Sequence, residues 1–300
     1  TATRPLFTFL PPRPRDTVTL RSHQRPRGAF AILRGIGPFT PSSFQAFLKL
    51  QTVVHQHREL GAKRTRAAIG THDLGKISGP FEVTDVSTEF AFSPLGHSSA
   101  STGRQVVEMY ASGVDPSVSP SMRNYARSLL GSSRYAVVRD VCGVVCSLPP
   151  LINSETTAVT MDTIDVLVEV TAGITAGKES GGGGSGGGSG TCHRSLAAFL
   201  GALAVYLTTE IGEDHNNDDD DLPTALSIQA VFAGREDDGE KPVGFAASDR
   251  SKVRIVEWAD RVAENIRENG DEMNVKLFDR ARSINQKKTK QQKKKKKKKR

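Results

Sequence analysis

The stretch that decides the fold is "SLPPLINSETTAVTMDTIDVLVEV", residues 147–170. Two prolines and an Asn-Ser-Glu-Thr turn separate a short apolar run from a longer β-branched one, so the segment reads as strand, polar corner and strand. Such a corner needs only a turn former, yet this one carries the carboxylate of Glu155. Just upstream, "RYAVVRDVCGVVC" (134–146) adds a further strand pair with its turn at Cys142-Gly143. Alternation there places Cys142 and Cys146 on one buried face, as free thiols.

Helical periods lie on either side of these strands. "GAFAILRGI" (28–36) reads as a strand, and "PSSFQAFLKLQTVVHQHREL" (41–60) as a helix capped by Ser42 or Ser43, with Phe44, Phe47, Leu48, Leu50 and Val54 on its apolar stripe. Two more amphipathic helices follow in "GRQVVEMYASG" and "SMRNYARSLL". Because strands and helices intermingle without a regular βαβ alternation, the expectation is an α+β fold, a mixed sheet with flanking helices. "SLAAFLGALAVYL" (195–207) is the most apolar window, too short to span a bilayer, and reads as a buried helix; no membrane is expected.

The formal charge of +8 comes from one end. Lysines and an arginine in residues 287–300 supply eleven positive charges, leaving the rest of the chain at −3. Residues 1–66 hold twelve Lys or Arg against Asp16 and Glu59, many interleaved with proline, which suits phosphate contacts. The expected organisation is a disordered Arg/Pro-rich leader over 1–24 and one domain over 25–234. That domain is interrupted by a Gly/Ser linker (178–190) and an Asp-rich insertion (212–222). An unassigned helical segment (235–286) and a disordered poly-Lys tail (287–300) complete the chain. In the helical segment Val253, Val256, Ala259, Val262 and Ile266 stand in register. Three scattered cysteines suit neither a disulfide framework nor a zinc site, and imply a reducing, intracellular compartment.

No Walker loop, dinucleotide fingerprint, zincin motif or nucleophile elbow occurs. Three spaced phrases do stand out: "RTRAAIGTHDLGKISGPFEV" (64–83), "FSPLG" (92–96) and "GVVCSLPPLINSETTAVTMDTIDVLVEVTAG" (143–173). With "RPRGAFAILRGI" and "FQAFLKLQTVVHQ" before them, they resemble the B3/B4 editing domain of the β subunit of archaeal and eukaryotic cytosolic phenylalanyl-tRNA synthetase. The likeness runs over about residues 25–175 and, more weakly, through 232. The rest of such a β subunit has no counterpart here, so the chain reads as a fragment.

That resemblance implies hydrolytic editing: an aminoacyl-tRNA ester hydrolase that removes tyrosine misattached to tRNA(Phe), within the cytoplasmic phenylalanine-tRNA ligase. The aminoacylation site belongs to the α subunit, and ATP and Mg to the intact synthetase; editing needs no cofactor and no metal. The implied partners are tRNA(Phe) and the α subunit. A pocket that accepts Phe rejects an added hydroxyl only weakly, so a second site has to read it. Glu155 is the expected reader, because a hydrogen bond to a charged acceptor contributes about 1.5–3 kcal/mol. As a turn carboxylate it would instead have no role in recognition.

His72, Asp73, Asn153 and Glu155 form the expected catalytic set, and Gly70, Thr71, Ser154, Thr157, Thr160 and Glu169 the substrate-binding set. His72 and Asp73 are expected in a Gly-bounded loop, where they position water or the terminal adenosine, or where Asp73 caps a short helix. Glu169 either faces solvent or serves the site. Water attacks the ester carbonyl while backbone N–H groups at 70–74 or 153–156 hold the oxyanion, assisted by the vicinal ribose hydroxyl. The other reading is a non-catalytic RNA- or protein-binding module, or an inactive truncated product.

Overall fold

Period-two alternation gives the sheet its two faces. In residues 27–34, Ala29, Ala31 and Leu33 point to one side and Phe30 and Ile32 to the other; in 166–172, Val166, Val168 and Val170 oppose Leu167, Glu169 and Thr171. A computed structural model describes residues 6–173 except 65, 98, 115 and 117, together with 187–213, 225–234, 243–245 and 249–269.

In chain order the elements are β1 Phe7–Leu10, β2 Thr17–Leu20, β3 Arg27–Arg34, α1 Pro41–Gln56, β4 Ala68–Asp73, β5 Phe81–Ser87, β6 Ala91–Phe92, β7 Ser101–Thr102, α2 Gly103–Ser112, α3 Pro120–Leu129, β8 Arg134–Arg139, β9 Val145–Leu148, β10 Ile152–Asn153, β11 Val166–Ala172, α4 Gly187–Glu213, β12 Leu226–Gly234, β13 Val243–Phe245 and α5 Asp249–Asn269. Short 3-10 turns occupy Leu74–Lys76 and Glu155–Thr157.

Among the described residues eleven strands make one mixed sheet, ordered β10-β9-β8-β5-β2-β12-β3-β11-β4, with β1 and β13 also on β12; β6 and β7 pair separately. The fold is the expected mixed-sheet α+β class. One face of β3, β11 and β4 packs against α1 and α4, building a core around Phe47, Leu50, Val54, Phe199 and Leu203. A second core lies between β8 and helices α2 and α3, around Tyr135, Val137, Val107 and Ala126. The N-cap of α1 is Thr40, not Ser42 or Ser43: its side chain accepts from the Ser43 N–H, and the Ser43 hydroxyl returns the contact to the Thr40 N–H.

Several expectations give way. Residues 7–20, expected as leader, enter the sheet: Thr17, Val18, Thr19 and Leu20 alternate, and β2 runs parallel to both β5 and β12. Asp16 is held there as well, accepting from Arg34 and from Gln229 at 3.0 and 2.6 Å. Gly187 to Gly190, read as linker, begin α4, and residues 212–213 of the Asp-rich stretch end it. The remainder of both insertions, 270–286 and the poly-Lys tail lie outside the described residues.

Two described parts of the segment read as unassigned, 243–245 and 249–269, join the rest of the fold. β13 pairs with β12, and α5 lies on α4 so closely that a Cβ on Gly201 would sit 2.8 Å from the Ala259 nitrogen and the Ile255 carbonyl oxygen. The face of α5 that is buried carries Ile255 and Ala259; of the expected register Ala259 is buried, while Val253 and Val256 are exposed. Cys142 is exposed in a turn made by Gly143 at φ +84°, and of these two cysteines Cys146 alone is buried; the turn breaks the alternation that would have placed them on one face.

Candidate functional site

β11 places Glu169 opposite Gly70, Val168 opposite Thr71 and Leu167 opposite His72 on β4. Alternation therefore sends Gly70, His72 and Glu169 to the face away from the helices and Thr71 toward α1, where Gln51 Nε2 donates to its hydroxyl at 2.8 Å. His72 is thus inside a strand and wholly buried, not in a loop. Glu169 is 1% exposed, not at the solvent face. A distant strand of the sheet explains this: β9, which does not pair with β11, brings Ser147, whose hydroxyl donates to Glu169 Oε1 at 2.6 Å.

These side chains form a closed polar cluster. His72 Nδ1 lies 3.0 Å from the Thr157 hydroxyl, and His72 Nε2 lies 3.6 Å from Glu169 Oε2, beyond hydrogen-bond length; neither of the latter atoms has another partner among the described residues. Gly70 makes room for it, since a Cβ there would meet Glu169 Oε1 at 2.5 Å.

The Asn-Ser-Glu-Thr corner lies beside this cluster. Asn153 Nδ2 reaches the Thr71 carbonyl at 3.5 Å, and the Ser154 N–H donates to Cys146 O at 2.8 Å. Glu155 is exposed. Its N–H donates to Ser93 O and its Oε2 accepts from the Gly96 N–H, both at 2.8 Å, while the Leu95 N–H donates to Asn153 O at 3.0 Å. The phrase "FSPLG" is therefore laced to "NSET", with Glu155 as one tether. Asp73 caps the 3-10 turn through the Gly75 N–H at 2.9 Å and accepts from Thr163 at 2.8 Å; the Thr160 N–H in turn donates to the Thr163 hydroxyl. Asp73 and Thr160 are thus linked through Thr163 at the end of β4, apart from Asn153.

On the other side of β4 opens a cavity of about 460 Å³, within the range of small-molecule sites, whose lining includes His55, Lys63, Arg64, Ser119, Ser121 and Met122. It lies between the end of α1, the turn after it and the first turn of α3. Arg64 Nη1 donates to the Pro150 and Leu151 carbonyls at 3.2 and 3.0 Å, which joins this cavity to the polar corner. Ala62, Lys63 and Arg64 have φ of +45°, +56° and +69°, a run of left-handed residues without glycine.

His55 is 6% exposed and its Nε2 accepts the Ile69 N–H at 2.7 Å. Burial, and then Arg64, hold its pKa well below the ordinary histidine value; burial also lowers that of Arg64. Sequence reading missed His55, Lys63, Arg64 and Ser147. The available signal was a histidine on the apolar stripe of α1 shortly before "AKRTR". Among the described residues no group of His, Cys, Asp and Glu gathers as a metal site, and no helix is long and apolar enough to cross a membrane.

By fold, this mixed-sheet unit is of the class of a solved N-terminal fragment of the phenylalanyl-tRNA synthetase β subunit from Pyrococcus horikoshii, with TM-score 0.51 and 23% identity over 77% of this chain and 52% of that one. In sequence, the chain is similar to curated proteins named phenylalanine–tRNA ligase beta subunit: 35% identical over 170 residues in Schizosaccharomyces pombe, 36% over 149 in Caenorhabditis elegans and 35% over 147 in Methanococcoides burtonii. These alignments cover 56%, 49% and 49% of the chain and 27%, 24% and 25% of the relatives, so it spans about a quarter of their length. No family model matches. The resemblance read from the three phrases is to this β subunit.

Proposed function

We propose that this chain performs the hydrolytic editing step of a phenylalanyl-tRNA synthetase β subunit, releasing tyrosine from tRNA(Phe). The observation that carries the reading is the 35% identity over 170 residues with a protein of that name. The open cavity beside the Asn153 corner supports it, as a place where the end of an aminoacylated strand can enter. In this reading Asn153, whose amide reaches the Thr71 carbonyl, orients the ester, and backbone N–H groups of the corner hold the developing oxyanion. Thr71 and Gln51 fix the strand edge against α1. The closed cluster of His72, Thr157, Ser147 and Glu169 acts from below, by holding β9 and the corner that follows it against β4. The tRNA is the substrate, the synthetase α subunit the protein partner, and the cytoplasm the compartment.

The test is single-turnover deacylation of Tyr-tRNA(Phe) and Phe-tRNA(Phe) by the full chain. Tyr-tRNA(Phe) is expected to be hydrolysed faster, and Asn153→Ala to slow it roughly tenfold or more with circular dichroism unchanged, the size of one hydrogen bond made in the transition state. Hydrolysis of neither ester would replace this reading by that of a non-catalytic RNA-binding module.

A further inference from the structure

The lining of the open cavity is rich in donors and contains no carboxylate. Each donor has a structural cause. Because the Ile69 N–H occupies Nε2 of His55, the neutral ring carries its proton on Nδ1. Nδ1 has no partner among the described residues, and the ring lines the cavity although it is more than nine-tenths buried. The three left-handed residues 62–64 bring Lys63 and Arg64 to the same wall.

Opposite them begins α3, a ten-residue helix. Pro120 has no N–H and the Met122 N–H is taken by the Ser119 side chain, so the Ser121 N–H is the donor left at this terminus, beside the Ser119 and Ser121 hydroxyls. A helix start, two cations and a fixed neutral N–H around one void call for an acceptor with several oxygens and negative charge.

We propose that this cavity binds a phosphodiester at the end of an RNA strand, between His55 Nδ1–H, Lys63 and Arg64 on one side and the α3 terminus on the other. RNA as the bearer of that phosphate rests on the editing function proposed above; the anion chemistry does not. His55 acts as a neutral donor. A protonated ring beside Arg64 in this burial would be disfavoured, which is the direction in which both groups are shifted.

The test is a calorimetric titration of the full chain with the trinucleotide cytidylyl-cytidylyl-adenosine and, separately, with inorganic phosphate, at 100 and 300 mM KCl (~10 and ~6 Å screening lengths). Wild type and variants share the same basic tail, so differences between them report the cavity. Lys63→Ala is expected to weaken trinucleotide binding about fivefold and to reduce the slope of log affinity against log salt by about 0.7, the value for one phosphate contact on a single strand. His55→Gln keeps an acceptor for the Ile69 N–H and removes the Nδ1 donor; about three- to tenfold weaker binding is expected, and in wild type the Nδ1–H proton resonance should move on adding trinucleotide. Unchanged affinity and salt slope in Lys63→Ala, with a stationary His55 proton, would overturn the site. Inorganic phosphate binding as tightly as the trinucleotide would overturn the assignment to an RNA diester. Trinucleotide binding without ester hydrolysis would count against the editing function alone, and hydrolysis with variant-insensitive binding against this inference alone.

Discussion

Two histidines seventeen residues apart face opposite sides of the same strand region. His72 on β4 is sealed with Glu169, Ser147 and Thr157, with no exposed surface. His55 on α1 is nearly as buried, yet its ring lines a void that also receives Lys63 and Arg64. The closed cluster turns its polar groups toward one another, Ser147 on Glu169 and Thr157 on His72, and joins β4, β9 and β11; the open one keeps His55 Nδ1 facing a void, while Arg64 Nη1 is anchored on the Pro150 and Leu151 carbonyls. Their difference is one of partners, not of residue type. A histidine read from sequence carries little functional information until the neighbours that use its nitrogens are known.

The largest effect expected from disturbing this contrast is Glu169→Ala. It strips Ser147 of its acceptor and leaves a void beside His72, so unfolding by urea should show a loss of about 3 kcal/mol. Glu169→Gln, which keeps an acceptor for Ser147, should lose about 1 kcal/mol. If both lose less than about 0.5 kcal/mol, the closed cluster does not hold the strands together. Next in size is Gly70→Ala, whose Cβ would lie 2.5 Å from Glu169 Oε1 and 2.7 Å from its Cγ. About 1–3 kcal/mol is expected for such overpacking, together with a change at Glu169 rather than at the cavity side, readable from the His72 and His55 ring resonances.

Much of this arrangement was legible beforehand and part was not, for identifiable reasons. The run 166–170 announced a buried strand, and "NSET" its polar corner, because β-branched residues and turn formers act locally. Glu169 was ambiguous, since its burial depends on Ser147, from a strand that does not pair with its own, and on the missing side chain of Gly70. Short β1 and β2 were hidden by the arginines and prolines around them. Their place follows from pairing with β12, more than two hundred residues later, which no local pattern encodes. The cavity was hidden for a similar reason: α1, residues 62–64 and α3 meet only in the fold.

A smaller effect separates the two histidines by pH. His55 has a folded pKa below its unfolded value near 6.5, so the unfolded chain binds more protons and stability rises with pH. Its contribution is full above about pH 6.5 and is lost as pH falls from there toward the depressed folded pKa. Between pH 7 and 5.5 wild type should lose about 1 kcal/mol more than His55→Gln. His193 is shifted in the same direction by burial and Arg254, so the difference between the two proteins, not the wild-type curve alone, is the quantity to read. Parallel curves would mean that the cavity side of His55 accepts a proton freely.

The smallest expected effect belongs to Glu155, which stands outside both clusters. Its carboxylate is exposed and one oxygen already accepts the Gly96 N–H, an interaction that secures a surface turn. Glu155→Ala should therefore lower stability by less than about 0.5 kcal/mol, as exposed substitutions usually do. If the side chain is a tether, hydrolysis of Tyr-tRNA(Phe) should fall less than about threefold, and Glu155→Gln, whose amide oxygen can still accept from Gly96, should behave as wild type. A different result would sharpen the picture more. A loss of tenfold or more confined to the tyrosyl ester, without loss of stability, corresponds to about 1.4 kcal/mol, the size of a hydrogen bond made to the phenol hydroxyl by a charged acceptor. Glu155 would then read the substrate through its second oxygen, and the laced "FSPLG" turn would be the device that holds it in place.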